Sequence, residues 1–426
     1  MTLSRRQVLH LSLGSLAGAL APRLARAQSP SPPPSDEVPA AIDALRPFTD
    51  GALPITLDEH RARIARAQAL MRGEDLDAIV LASGTGLEYF TGAEWGLSER
   101  FFGAVITREG DPAWVTPAFE KARALEQIQV GTDVRAWEEH ESPSALVASI
   151  LRDRRATGRV GIEETMPFTF ANEIGAALPS ARVVSATAVT AGCRMIKDAH
   201  ELALMRRANE ITVRAHRAVF QSLREGMTQS QVSALSAQAH RKLGMSGGAL
   251  VLFGPDAAFP HGTTRPRPLR RGDVVLIDGG GRLHGYASDI TRTGVFGAPP
   301  TERQRRVWDI VRRAQQAAFD AARPGVEAQT VDAAARRVVE EAGFGPDYRY
   351  FTHRVGHGIG MDGHEWTYFV RGNTTKLRPG MCFSDEPGIY IAGEMGIRHE
   401  DCIFITETGA ENFTKWTGSP EDPAVV

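Results

Sequence analysis

The chain has 426 residues, 42% of them hydrophobic, a formal charge of −2 and three cysteines. That length is more than one ordinary core holds, so two domains are expected, and a near-neutral chain without a basic stripe argues against a nucleic-acid partner. Cys193, Cys382 and Cys402 form no CxxC pair, which argues against a disulfide framework and for small apolar packing.

The chain opens with Ser4-Arg5-Arg6-Gln7-Val8-Leu9, then an apolar stretch from Leu11 to Ala21, then Ala25-Arg26-Ala27. Charged, apolar and small-residue regions in that order are the plan of a signal peptide, and the paired arginines resemble a twin-arginine export signal. Residues 1–27 are therefore expected to direct the protein to the periplasm or beyond. The apolar stretch is short for a bilayer, so no stable membrane insertion is expected after cleavage. Residues 28–54, with Pro32-Pro33-Pro34, read as an extended tether with a short helix near Val38–Leu45.

Residues 55–187 read as a small α/β domain. Thr56 and Glu59 form a capping box, and Ile64, Ala67, Leu70 and Met71 follow at helical spacing. Strands are expected at Ala78–Ala82, Phe102–Thr107, Ala113–Thr116, Val160–Ile162 and Val183–Ser185. Residues 188–426 form the second domain. Asp198 with Glu201 and Thr228 with Gln231 cap two helices, and strands follow around Ala249–Phe253, Val274–Asp278 and Ala287–Val295. The plan then repeats: Thr301 with Gln304 caps a long helix, a shorter helix ends at Gly343, and strands return at Met381–Glu386 and Ile397–Ile405. Two helices and a strand pair, twice over, suggest a pseudo-twofold core.

Each strand pair carries two acids. A hairpin folded about Leu283 and His284 sets Asp278 opposite Asp289, and one folded about Gly393 sets Glu386 opposite Glu400. Opposed Cβ atoms are about 5 Å apart, where like charges repel, and burying them unpaired costs several kcal/mol. Any one of these acids could be a solvated turn residue or an arginine's partner. All four together call for two divalent cations, whose +4 cancels the −4. His357, between glycines in His353-Arg354-Val355-Gly356-His357-Gly358-Ile359-Gly360, supplies an imidazole. The glycines argue against a helix that would make His353 a second ligand.

On these stretches the chain from about 195 to 407 resembles the methionine aminopeptidase, prolidase and aminopeptidase P superfamily. The matching text is Ile277-Asp278-Gly279-Gly280, Ser288-Asp289-Ile290-Thr291-Arg292-Thr293, His353–Gly360 with Gly363-His364-Glu365, Asp385-Glu386-Pro387-Gly388-Ile389-Tyr390 and Gly396–Asp401. Residues such as Tyr89-Phe90-Thr91-Gly92 resemble the creatinase/prolidase N-terminal domain. The resemblance implies an α+β pita-bread catalytic domain behind a smaller creatinase-like α/β domain. It implies that Asp278, Asp289, His357, Glu386 and Glu400 bind two metals, with Asp289 and Glu400 bridging. It also implies that His261 and His364 contact the scissile carbonyl and the tetrahedral intermediate, that His353 lines a proline pocket, and that Arg398 lies near the substrate or the ligand glutamates. An oxygen-rich set without thiolate suits manganese, with zinc or cobalt also able to occupy it. Two such cations activate a water and polarise a carbonyl.

The expected activity is therefore Xaa-Pro peptidase, on dipeptides or at peptide N-termini, with dipeptides favoured. The alternatives are a non-peptide C–N hydrolase or lyase on the same fold, and a metal-free binding protein with a dead site. Aromatic residues in Glu365-Trp366-Thr367-Tyr368, where proline-rich text often stands, leave the far pocket open. A homodimer is implied by resemblance, with Trp95 a candidate to reach the partner's pocket or, on the plainer reading, to pack in its own domain.

Overall fold

Residues 38–426 are described here from a computed structural model; the expected signal peptide lies outside them. Among the described residues no helix is long and apolar enough to cross a membrane.

The smaller domain follows from its apolar runs. Helix Leu57–Gly73 starts at the expected capping box, with the Thr56 and Glu59 side chains each bonding the other's backbone N–H. Strand β1 (Ala78–Ala82) is buried at every position, as a strand covered on both faces must be. It lies at the centre of a six-stranded sheet with β2 (Gly103–Thr107), β3 (Ala113–Pro117), β4 (Asp133–Trp137), β5 (Arg159–Ile162) and β6 (Arg182–Ser185), in the order β4-β3-β2-β1-β5-β6. Strand β4 was not expected: Asp133-Val134-Arg135 is half-exposed at the sheet edge and carries two charges.

The second domain repeats as expected. Helices Ala199–Ser222 and Gln229–Lys242 are followed by β7 (Ser246–Phe253), β8 (Val274–Leu283), β9 (Tyr286–Ala287) and β10 (Ile290–Val295). Helices Glu302–Ala321 and Ala328–Val339 are followed by β11 (Gly356–Gly358), β12 (Glu365–Phe369), β13 (Cys382–Asp385), β14 (Gly388–Ile391), β15 (Met395–Arg398), β16 (Asp401–Ile405) and β17 (Ala410–Asn412). The three expected capping boxes all form. One sheet runs β10-β8-β7 with β9 on β8, the other β12-β11-β13-β16-β17. A single bridge between Thr291 and Glu400 joins the two.

Two expectations need correction. Asp278 does not face Asp289: the β8–β10 register pairs Asp278 with Thr291, two residues on. The turn is His284-Gly285, at φ 48° and 86°, the left-handed pair that a tight two-residue hairpin demands. A shift of two keeps both acids on one face. Second, the described part of the expected tether is docked. Helix Ala40–Asp43 buries Ile42 completely, Phe48 N–H bonds the Leu243 carbonyl, and Arg214 stacks 3.7 Å from the Phe48 ring centroid. The apolar Ile42, Leu45 and Phe48 outweigh the neighbouring prolines. For Trp95 the plainer of the two expected readings holds: it packs in its own domain, only 9% exposed, with Phe102 stacked at 4.1 Å and Arg123 over its other side.

The domains share a core: Tyr89, Phe90 and Trp95 meet Tyr286, Ile359 and Met361. Arg63 reaches across to Glu201, at 3.2 Å, and to the Tyr286 hydroxyl. All three cysteines are buried and free.

Candidate metal centre

The second hairpin keeps the expected register. Asp385 pairs with Asp401 on one side of the gap and Gly388 with Arg398 on the other, so Glu386 and Glu400 face each other between two ladders. Alternation sends Asp385 and Asp401 to the opposite face. There Asp401 forms a fully buried ion pair with Arg292 at 2.6 Å and accepts from Gln315.

The bridge at Thr291 brings the two halves' acids together. Donor atoms of Asp278, Asp289 and Glu400 lie within 4.8 Å of one another, as do those of His357, Glu386 and Glu400, and those of Asp289, His357 and His364. All five expected ligands thus converge, with Glu400, Asp289 and His357 each in two groups. Thr291, quoted in the motif but given no role from sequence, has its hydroxyl 2.7 Å from Asp278 and 2.6 Å from Glu400. Only the fold, which brings residues a hundred positions apart into contact, reveals this.

His357 is prepared as a ligand. Its Nδ1 bonds the Gly358 carbonyl at 3.0 Å, which fixes the tautomer and leaves the Nε2 lone pair free, 3.3 Å from Glu386. Burial, with the neighbouring His364, lowers its pKa to about 4, so the ring is neutral at pH 7. Gly356 is required: a Cβ there would run into the Ser384 carbonyl. The Ser384 hydroxyl accepts from the His357 N–H and donates to Glu386.

The electrostatics show what the acids need. Burial and the charge on Asp278 push Glu386 up to about 8, against the pull of Arg398. Burial and the other acids raise Asp289 and Glu400 well above the carboxylate range. Asp278 alone is held low: Arg398, at 2.6 Å, and the Thr291 hydroxyl outweigh its burial. Three carboxyls that resist ionisation, around one neutral imidazole, fit divalent cations, which would supply the charge the protein lacks.

The remaining candidates lie around this centre. His364 stacks on His357, ring centroids 3.6 Å apart. His353 bonds the Tyr390 hydroxyl at 2.7 Å, and burial lowers its pKa to about 3. Arg398 donates to Asp278, Thr291 and the Tyr390 hydroxyl, and at 3.3 Å to the Pro260 carbonyl beside His261. It thus orients Asp278, one of the five expected ligands. His261 is exposed and follows Pro260, whose carbonyl accepts from Arg398, which places it beside the same cleft.

A constellation of four carboxylates, three of them partly buried, and a buried imidazole is the kind of centre that metal-dependent hydrolases build. The model of metallopeptidase family M24 matches residues 203–407, and that of the creatinase/prolidase N-terminal domain matches residues 63–196. The chain is similar to a probable dipeptidase PepE of Mycobacterium bovis, at 39% identity over 82% of this chain and 92% of that one. It is similar to an Xaa-Pro dipeptidase of Lactobacillus delbrueckii subsp. lactis, at 34% over 82% and 95%. Among solved structures, dipeptidase PepE of Mycobacterium ulcerans superposes with a TM-score of 0.78 at 35% identity, covering 88% of this chain and all of that one. A prolidase of Thermococcus sibiricus gives 0.76 at 30%, covering 84% and 97%. The chain belongs to metallopeptidase family M24 and carries that family's pita-bread catalytic domain behind a creatinase-type domain.

Proposed function

We propose that this protein is an exported Xaa-Pro dipeptidase that works with two manganese ions as a homodimer. The observation that carries the dinuclear reading is the pair of three-donor groups joined through Glu400. One group holds Asp278 and Asp289, the other His357 and Glu386, so a shared carboxylate stands between two sites. All five expected ligands converge, which weighs against a binding protein with a dead site. The names of similar proteins, dipeptidase and Xaa-Pro dipeptidase, support the substrate class.

Bound there, two cations supply an activated water and a Lewis acid for the scissile carbonyl. The chain's own residues do the rest. His364 donates a hydrogen bond to the carbonyl oxygen as charge develops on it. His353 and Tyr390, joined by their hydrogen bond, offer a largely apolar wall to the proline ring. Arg398 holds Asp278 ionised and fixes the Pro260–His261 loop. Proline's imide has no N–H, so a wall rather than a hydrogen-bond acceptor suits it.

The test is a length series on manganese-loaded protein, Ala-Pro against Ala-Pro-Ala and longer, with metal analysis of the same sample. Two metals per chain and fastest cleavage of Ala-Pro are expected. Preference for the tripeptide makes the enzyme an aminopeptidase; no cleavage of any member ends the peptidase reading.

A further inference from the structure

Arg354 is the second residue of the His353–Gly360 run, and nothing above uses it. Its guanidinium lies 4.2 Å from the centroid of the Tyr368 ring, and the residue is exposed. Tyr368 stands directly across from His357 in the β11–β12 ladder, so both side chains leave the same face of the sheet. Tyr368 therefore carries Arg354 at the rim of the metal centre.

The neighbouring arginines are committed. Arg398 is bonded to Asp278, Arg336 to Asp332, and Arg371 to Asp347. Among the described residues Arg354 forms no ion pair and donates no side-chain hydrogen bond; its one partner is an aromatic face. A guanidinium stacked on a ring keeps its donor edge free for a planar anion. In a dipeptide the terminal carboxylate is separated from the scissile nitrogen by a single carbon, so its receptor must lie at the rim of the catalytic centre. In a longer peptide that carboxylate becomes a neutral amide.

We propose that Arg354, stacked on Tyr368, binds the C-terminal carboxylate of a dipeptide whose scissile carbonyl lies at the metal centre, and so selects dipeptides over longer or amidated chains. This rests on the peptidase reading above and names the residue that sets its length preference. Trp366, two residues from Tyr368 in β12, is 39% exposed.

The test is steady-state kinetics on Ala-Pro, Ala-Pro-amide and Ala-Pro-Ala with the manganese-loaded protein, Arg354→Gln and Arg354→Lys. Loss of one charge-assisted contact should raise KM for Ala-Pro roughly 10- to 100-fold in Arg354→Gln. Turnover, bound metal and cleavage of the amide should stay near their starting values, so the acid-to-amide preference collapses. Arg354→Lys should keep part of that preference, and it gives the same readout if Arg354→Gln folds poorly. A preference that neither variant changes, or an equal loss on acid and amide, overturns the assignment alone. If the unmodified protein cleaves none of the three, the peptidase reading falls and the assignment with it.

Discussion

Glu400 offers a donor atom to both halves of the centre, next to Asp278 and Asp289 on one side and His357 and Glu386 on the other. Glu400→Ala should therefore strip most metal and all activity together, as metal analysis beside Ala-Pro hydrolysis will show; full activity in that variant would dismiss the ligand set. His364 shares the space but should behave differently. His364→Ala is expected to cut turnover about 10²–10³-fold, the usual loss of one transition-state donor, with metal retained. Metal lost along with activity would instead make His364 a ligand. The four acids and the imidazole were legible because each sits in a strand pair or turn marked by glycine or proline. Thr291 and Arg354 stood in the same motifs, but their roles depend on contacts that sequence spacing does not report.

The loop carrying His364 is held from outside its own sheet. Arg194 donates to Asp362 and Glu365, both at 2.6 Å, Lys197 meets Glu365 at 2.9 Å, and the Thr85 hydroxyl bonds Asp362 at 2.6 Å. Despite its burial, Glu365 has its pKa drawn down to about 2 from an ordinary 4.5 by Lys197 and Arg194. A folded pKa below the unfolded one gives stability that is complete above the unfolded value and is lost as pH falls through the folded one. Here that is about 3 kcal/mol, draining between roughly pH 4.5 and 2. Urea unfolding of wild type and Glu365→Gln should differ most near pH 6 and converge towards pH 3; a gap independent of pH would mean that Glu365 acts by shape alone. None of this was visible in the sequence, because the partners come from distant segments and long-range ion pairs leave no local pattern. Elements fared better. All four capping boxes were readable, and so was the Glu386–Glu400 register. The Asp278 register slipped by two because His284 takes a left-handed conformation that residues other than glycine seldom adopt.

At the scale of the whole molecule, the two-domain plan and the repeated catalytic core were legible from periodicity and caps. The docking of residues 38–54 and the shared core around Tyr89 and Tyr286 were not, since apolar residues announce burial but not their partner. The proposed export rests on the sequence of residues 1–27. Changing Arg5 and Arg6 together to lysine is expected to leave active, uncut protein in the cytoplasm, followed by cell fractionation; normal export would assign the general secretion route. Finally, the lone Thr291–Glu400 bridge between the two sheets has a thermodynamic consequence. Any cation gripped by both halves acts as a removable crosslink that exists only in the native chain. By mass action it adds about 2.7 kcal/mol at a hundredfold excess over its dissociation constant. The melting temperature of this protein then becomes a gauge of metal supply, and a preparation purified with chelator would look like a weaker fold while its covalent structure is intact.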